Sequence, residues 1–220
     1  MSGLGDANVL AAGCRACVAA MVALAALVSL QARAEDAAWR SYERGDLASA
    51  ARAYQAGAHR GERLAQYNLA MMILRTEAPG TPSQALAWLR ESAERDYAQA
   101  QFTLGLLYES GAVVPKSLTN ATAWFRRAAE HGHVEAQIAT GTQYFLGRGA
   151  PKDETEACRW YERAAEGGDA GAQYLAASCY EHGYGQWPKD PDRALGWYVQ
   201  AARGGDVAAA AKAKALVRRQ

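Results

Sequence analysis

The block from Ala121 to Gly147 predicts its own local fold. Ala121, Trp124, Phe125, Ala128 and Ala129 recur at helical spacing, Gly132 interrupts them, and Ala136, Thr140 and Tyr144 resume the period. This pattern specifies two amphipathic helices joined by a tight turn. The block then returns along the chain: its leading alanine recurs as Ala50, Ala85, Ala121, Ala157 and Ala194, at spacings of 35, 36, 36 and 37 residues. A unit of that length cannot bury its apolar face alone and must stack on its neighbours, so the repetition constrains the fold more than any single residue does.

Each repeat carries the same packing code. Ala53, Trp88, Trp124, Trp160 and Trp197 stand three residues beyond the alanine; Tyr54, Leu89, Phe125, Tyr161 and Tyr198 stand four beyond. Small pairs such as Ala128-Ala129 and Ala164-Ala165 follow, letting a neighbouring helix approach while the rings fill the remaining space. Gly61, Gly132, Gly168 and Gly205 then end the helix where a left-handed residue is needed, with Asp96 as the exception. After the turn come Ala65-Gln66, Ala100-Gln101, Ala136-Gln137 and Ala172-Gln173, continued on one face by residues four and eight further on. Gly111, Gly147 and Gly183 close that helix, prolines at 115, 151 and 188 keep it closed, and Asp153 with Glu156 reads as a capping box for the next. The expectation is an all-α solenoid of five antiparallel helix pairs over residues 35 to about 205, with Val207 to Arg218 as a capping helix.

The N-terminus is a separate object. Val18 to Leu30 is an apolar run of 13 residues, short for a membrane span but suited to the core of a secretory signal, and Ala32-Arg33-Ala34 offers small residues at the positions a signal peptidase reads. Residues 1–34 are expected to be a signal peptide cleaved after Ala34, and residues 35–220 the mature domain, periplasmic or secreted; retention of the run as an anchor would instead give a membrane-tethered scaffold. Cys14 and Cys17 have redox or zinc spacing but leave with the signal. Removing Arg15, Arg33 and Asp6 with it leaves 22 basic and 22 acidic residues, a balance with no electrostatic footprint for nucleic acid or anionic lipid. The mature chain is expected to be a monomer off the membrane.

Catalytic constellations are missing. His59, His131, His133 and His182 come without a third ligand at structural zinc spacing. Glu91, Glu94, Glu130, Glu162 and Glu166 sit near arginines on outer helix faces, as a solvated surface does. A serine β-lactamase needs Ser-x-x-Lys and Lys-Thr-Gly, and neither occurs. Gly183-Tyr184-Gly185 lacks the strand and lysine of a phosphate loop. No enzyme, metal or cofactor is expected.

Two features point to binding. With Ala65, Leu69 and Ile73 facing the core, residues two and six beyond the alanine point nearly opposite; two beyond gives the ladder Tyr67, Phe102, Ile138, Tyr174. These residues are either covered by neighbouring helices or form the aromatic anchors of a groove for a protein or peptide. The longest spacing places an extra residue in the loop from Gly183 to Pro191, where Trp187 either tucks over the helix ends or offers an exposed contact. Cys158 and Cys179 are the cysteines left after signal removal. Placed symmetrically about the turn near Gly168-Asp169, they lie at equal height on antiparallel helices and are expected to form a disulfide, two buried thiols being the alternative.

Taken together, the Ala-x-x-Trp-aromatic-x-x-Ala-Ala-x-x-Gly and Ala-Gln-x-x-Leu-Gly-x-x-Tyr-x-x-Gly blocks resemble the Sel-one-like repeat, a relative of the tetratricopeptide repeat. Ala100-Gln101, Leu104-Gly105, Tyr108 and Gly111 match most closely, and Gly147-Arg148-Gly149 reproduces the family's Gly-x-Gly loop. The first unit departs, with Ala53 for tryptophan and Ile73 for tyrosine, and its Trp39-Tyr42-Gly45-Asp46 start looks more like a tetratricopeptide. The resemblance implies a right-handed superhelix that scaffolds protein complexes on its concave face and, in exported bacterial members, acts in the envelope or on a host. It also implies an alternative, because cysteine-rich members have been associated with β-lactam binding and hydrolysis.

Overall fold

The computed structural model describes residues 33–218. Most of the expected signal peptide, with Cys14 and Cys17, lies outside the described residues. Among those described, all regular structure is helical: α1 (33–43), α2 (Leu47–His59), α3 (Arg63–Leu74), α4 (Pro82–Glu94), α5 (Ala98–Ser110), α6 (Leu118–Glu130), α7 (Val134–Leu146), α8 (Glu154–Glu166), α9 (Ala170–His182), α10 (Pro191–Arg203) and α11 (Val207–Val217). The chain divides into two compact units, one ending at Thr81 and the other beginning at Pro82. In the second unit every helix from α4 to α11 packs on the next in sequence, the pattern of an α/α solenoid; in the first, α2 packs on α3.

The helices begin and end where local chemistry dictates. Asp46, Ser117, Asp153, Asp169, Asp190 and Asp206 each accept a backbone N–H of the following first turn. The capping box at α8 is only half formed: Asp153 accepts from the Glu156 N–H at 2.9 Å, but the Glu156 carboxylate turns to Arg159 at 3.1 Å. The recurring glutamine has a role that its periodicity did not disclose. Nε2 of Gln66, Gln101, Gln137 and Gln173 donates to the carbonyl of Ala58, Ala93, Ala129 and Ala165 respectively, eight residues back in the last turn of the preceding helix. Each glutamine thereby satisfies an orphan C-terminal carbonyl across the turn and ties the two helices together.

Rings fill the interior as the spacing implies, with one refinement. The position four beyond the alanine is buried in every repeat, as Tyr54, Leu89, Phe125, Tyr161 and Tyr198. The tryptophan at three beyond is buried at Trp160 and half-buried at 88, 124 and 197. Arg127 and Arg163 lie over the Trp124 and Trp160 rings, each 4.8 Å from the centroid, and shield them from water.

Two turns use a residue other than glycine in the left-handed region: Thr76 (φ 61°) and Asp96 (φ 59°). Aspartate tolerates that region, but a β-branched threonine pays for it in steric crowding of its Cβ. Thr76→Gly should therefore stabilise the first unit by roughly 0.5–1 kcal/mol, part of the relief being returned as glycine's chain entropy. Urea unfolding would read this as a higher midpoint at unchanged slope; a lower midpoint would contradict it.

Candidate functional site

Among the described residues, the large apolar side chains left exposed are Trp39, Leu106, Leu146, Val207 and Val217. Three of them lie on α1, α5 and α7, helices of the Ala-Gln type or its first-unit counterpart. Leu106 sits six residues beyond the helix alanine and Leu146 ten beyond, both on the side away from the core. Trp39, on α1, is 52% exposed, which is unusual for a residue that large.

Trp39 rims a cup in the first unit, with a volume of about 240 Å³. Its ring stacks on Tyr42 (centroids 5.7 Å apart, planes at 20°). Tyr54 from α2 and Tyr67, Asn68, Met71 and Met72 from α3 complete the wall, and Arg75 and Glu77 stand beyond the end of α3. The rim is ordered by a short relay: Arg75 Nη1 donates to the Tyr42 hydroxyl at 3.4 Å, and that hydroxyl donates to Glu77 Oε2 at 3.1 Å. Burial, with Glu35 and Tyr42 nearby, pushes the Tyr54 phenol above its ordinary pKa although a hydrogen bond with Asn68 opposes this.

The ladder residues divide between two environments. Tyr67 lines the cup. Phe102 is half-buried, lying 5.6 Å from the Phe125 ring and 4.6 Å from the His133 ring and packing on Ala128, Ala129, Ala136 and Trp160. Ile138 packs on Ala164, Ala165, Ala172 and Ala176, and Tyr174 meets the Tyr198 ring edge-on at 5.3 Å. In the second unit, then, the helices that follow in the stack take up these three side chains. Trp187 is half-buried against Tyr180, ring centroids 5.5 Å apart, and its indole Nε1 is buried with no acceptor.

Cys158 on α8 and Cys179 on α9 are buried, with Cα atoms 5.8 Å apart and their sulfurs joined. Close by, polar rungs link successive repeats. The Glu162 carboxylate accepts from the Tyr180 hydroxyl and from Arg193, whose guanidinium lies 4.4 Å over the Tyr180 ring. Glu181 accepts from Tyr198 at 2.7 Å and from Lys212 at 2.9 Å. Burial first, then the adjacent carboxylate, pushes both phenols far up, so the tyrosines act as fixed donors.

The residues that could suggest chemistry are arranged for structure. His182 Nδ1 lies 2.9 Å from the Ser178 carbonyl, where it acts as a donor, so it cannot take the proton of the Ser178 hydroxyl 3.4 Å away. Among the described residues, no cluster of three or more His, Cys, Asp or Glu could hold a metal. None of their helices is long and apolar enough to cross a membrane.

His131 lies 3.2 Å from Asp96, and His133 caps α7, Nδ1 accepting from the Ala136 N–H at 3.3 Å while Nε2 meets Gln99 at 2.9 Å. Burial lowers the His133 pKa and outweighs Glu135, which pulls it upward. Its neutral form is thus favoured in the folded state. The associated stability is fully present above the unfolded value near 6.5 and is lost as pH falls through the lower folded value. The melting temperature should drop between pH 7.5 and pH 5, and His133→Asn, which keeps a capping oxygen but does not titrate, should flatten that slope. An unchanged slope in the variant would contradict this role.

Comparison with known proteins finds the repeat directly. The Sel1 repeat model matches residues 63–97, 98–133, 134–169 and 170–206, each comprising one Ala-Gln helix and the tryptophan helix that follows. The structure of a Sel1 repeat protein from Oxalobacter formigenes is 31% identical, with a TM-score of 0.74 over 80% of this chain and 72% of that one. A protective antigen of uropathogenic Escherichia coli that displays this repeat fold is 32% identical, with a TM-score of 0.66 over 72% of this chain. An F-box protein of Arabidopsis thaliana is 35% identical over 79 residues, 36% of this chain. The chain spans only about a third of the E. coli antigen and about a fifth of the F-box protein. Repeats of this type generally mediate protein–protein interaction and generally form non-catalytic scaffolds. With four consecutive matches covering more than half of its length, the chain belongs to the Sel1 repeat family.

Proposed function

We propose that this chain is a non-enzymatic interaction module of the cell envelope that holds a protein segment, with the cup of the first unit as the anchor site. The observation that carries the proposal is Trp39: an indole more than half exposed, stacked on Tyr42 at the mouth of an aromatic-lined cup. Rigid aromatic side chains beside a concavity are the usual energetic centre of a protein interface. The cup is smaller than the roughly 300–1,000 Å³ of pockets that enclose drug-sized ligands, which favours one inserted side chain over a whole small molecule. In the second unit, taken by itself, Leu106 and Leu146 are exposed apolar side chains.

Affinity capture from envelope extract with the purified protein as bait tests the proposal. Trp39→Ala should lose the partner retained by the unmutated chain, at a stability cost within about 1 kcal/mol because the side chain is exposed. Undiminished capture by the variant would refute the anchor role. Export has its own test: N-terminal sequencing of the mature protein should begin at Glu35. A start upstream of the apolar run would place the protein on the membrane instead.

A further inference from the structure

The chemistry of the cup is more specific than apolar contact. Four rings, Trp39, Tyr42, Tyr54 and Tyr67, surround a space on the scale of one side chain, and the thioethers of Met71 and Met72 add polarisable surface. Aromatic faces are electronegative and attract a cation held within about 6 Å of the ring centroid. One carboxylate, Glu77, is half-buried at the rim and held by the Tyr42 hydroxyl. Arg75 is the one cation lining the cup; it is exposed and already donates to that same hydroxyl. Tyr54 is the most deeply buried of the rings.

We infer that the cup is an aromatic cage for the protonated side chain of a lysine presented by a protein partner. This deepens the anchor role proposed above and rests on it. The slim four-carbon stem of a lysine lies along the rings, and its ammonium reaches Glu77 with donors to spare. A neutral residue of the same length gains the apolar contact but neither the cation–π attraction nor the ion pair. The two rim charges give the inference a signature that shape alone does not: removing the anion should weaken binding, and removing the cation should strengthen it.

The test uses the purified protein labelled with 5-fluorotryptophan, the Trp39 resonance being identified by its loss in Trp39→Phe. Two blocked tripeptides are titrated and followed by ¹⁹F NMR: acetyl-Gly-Lys-Gly-amide and its norleucine counterpart, which has the same reach and no charge. The lysine peptide should shift the Trp39 signal saturably and bind about tenfold more tightly than the norleucine peptide. Glu77→Gln should weaken the lysine peptide several-fold, and Arg75→Gln, at an exposed position that does not threaten folding, should tighten it. Equal or tighter binding of the norleucine peptide would overturn the cationic occupant while leaving an apolar anchor standing. No shift with either peptide would overturn the cage; whether the cup binds the partner at all is then decided separately by capture with Trp39→Ala. Choline chloride is titrated in parallel, and a shift as strong as that from the lysine peptide would move the site from a protein side chain to a quaternary ammonium headgroup.

Discussion

Gly149→Ala is expected to destabilise the second unit by roughly 2–4 kcal/mol, the largest effect expected of a methyl group added at any of the described glycines. Gly149 has φ +75°, so any side chain there carries the left-handed penalty of about 1 kcal/mol. Its surroundings add a larger contribution. A Cβ would stand 2.2 Å from the Leu118 carbonyl oxygen and 2.6 Å from Thr122 Oγ1, because the loop after α7 lies directly on the first turn of α6. A backbone carbonyl at a helix start cannot rotate away as a flexible side chain can. The loop is also tied there by the Thr122 hydroxyl, which donates to the Arg148 carbonyl at 3.1 Å. Gly132 provides the control: it has φ +83° and nothing within 4 Å of its would-be Cβ, so Gly132→Ala should cost only the conformational penalty. Denaturant titration of the two variants separates the effects. Equal losses would show that the Gly149 loop gives way and that close approach is not what selects its glycine.

That glycine was legible in the Gly-x-Gly loop, as were the helix ends at Gly111, Gly147 and Gly183, because each belongs to a repeated local pattern whose physics is contained within a few residues. Asp96 falls at a turn glycine's register and adopts the left-handed backbone expected there. Lateral packing was harder to read. Positions two and six beyond the alanine are equally far from the core face on a helical wheel, and periodicity in one helix cannot say which of them the next repeat covers. In the second unit Phe102, Ile138 and Tyr174 are half-buried against following helices, and at six beyond Leu106 is 43% exposed while Thr142 and Ser178 are half-buried as well. Trp39 carried no signal as a binding residue, since in sequence it reads as the start of an irregular first repeat. Its significance comes from Tyr42, Tyr54 and Tyr67 converging from three helices, which no one-dimensional spacing encodes. The recurring glutamine was visible as a pattern, but its bond to a carbonyl eight residues back depends on the geometry of the turn.

Replacing both Cys158 and Cys179 by alanine is expected to cost about 3 kcal/mol, and reduction of the unmutated protein to do the same where the reductant gains access. In the chain-entropy description, closing a loop with a sequence separation of 21 removes about that much freedom from the unfolded chain. Helix axes that pack about 8–10 Å apart, with Cα atoms about 2.3 Å off each axis, bring Cα atoms on the facing sides within reach of such a bond. Ala164 and Ala165 of α8 pack on Ala172 and Ala176 of α9, and the two cysteines stand at a Cα separation of 5.8 Å. The same two register positions are occupied by Leu86 with Leu107, Thr122 with Gln143, and Leu195 with Leu216, so the bond occupies a slot that apolar or polar pairs fill elsewhere. It is therefore not required by the fold, and a buried disulfide of this kind persists in an oxidising compartment. Both cysteines are almost wholly shielded from solvent, so reductant should act only on the opened protein, and the reduction rate should follow unfolding of this hairpin rather than reductant strength alone. Alkylation under denaturing, non-reducing conditions followed by mass spectrometry should find neither Cys158 nor Cys179 modified in protein recovered from its host. Two alkylated thiols would remove both the staple and the argument for export that it supports.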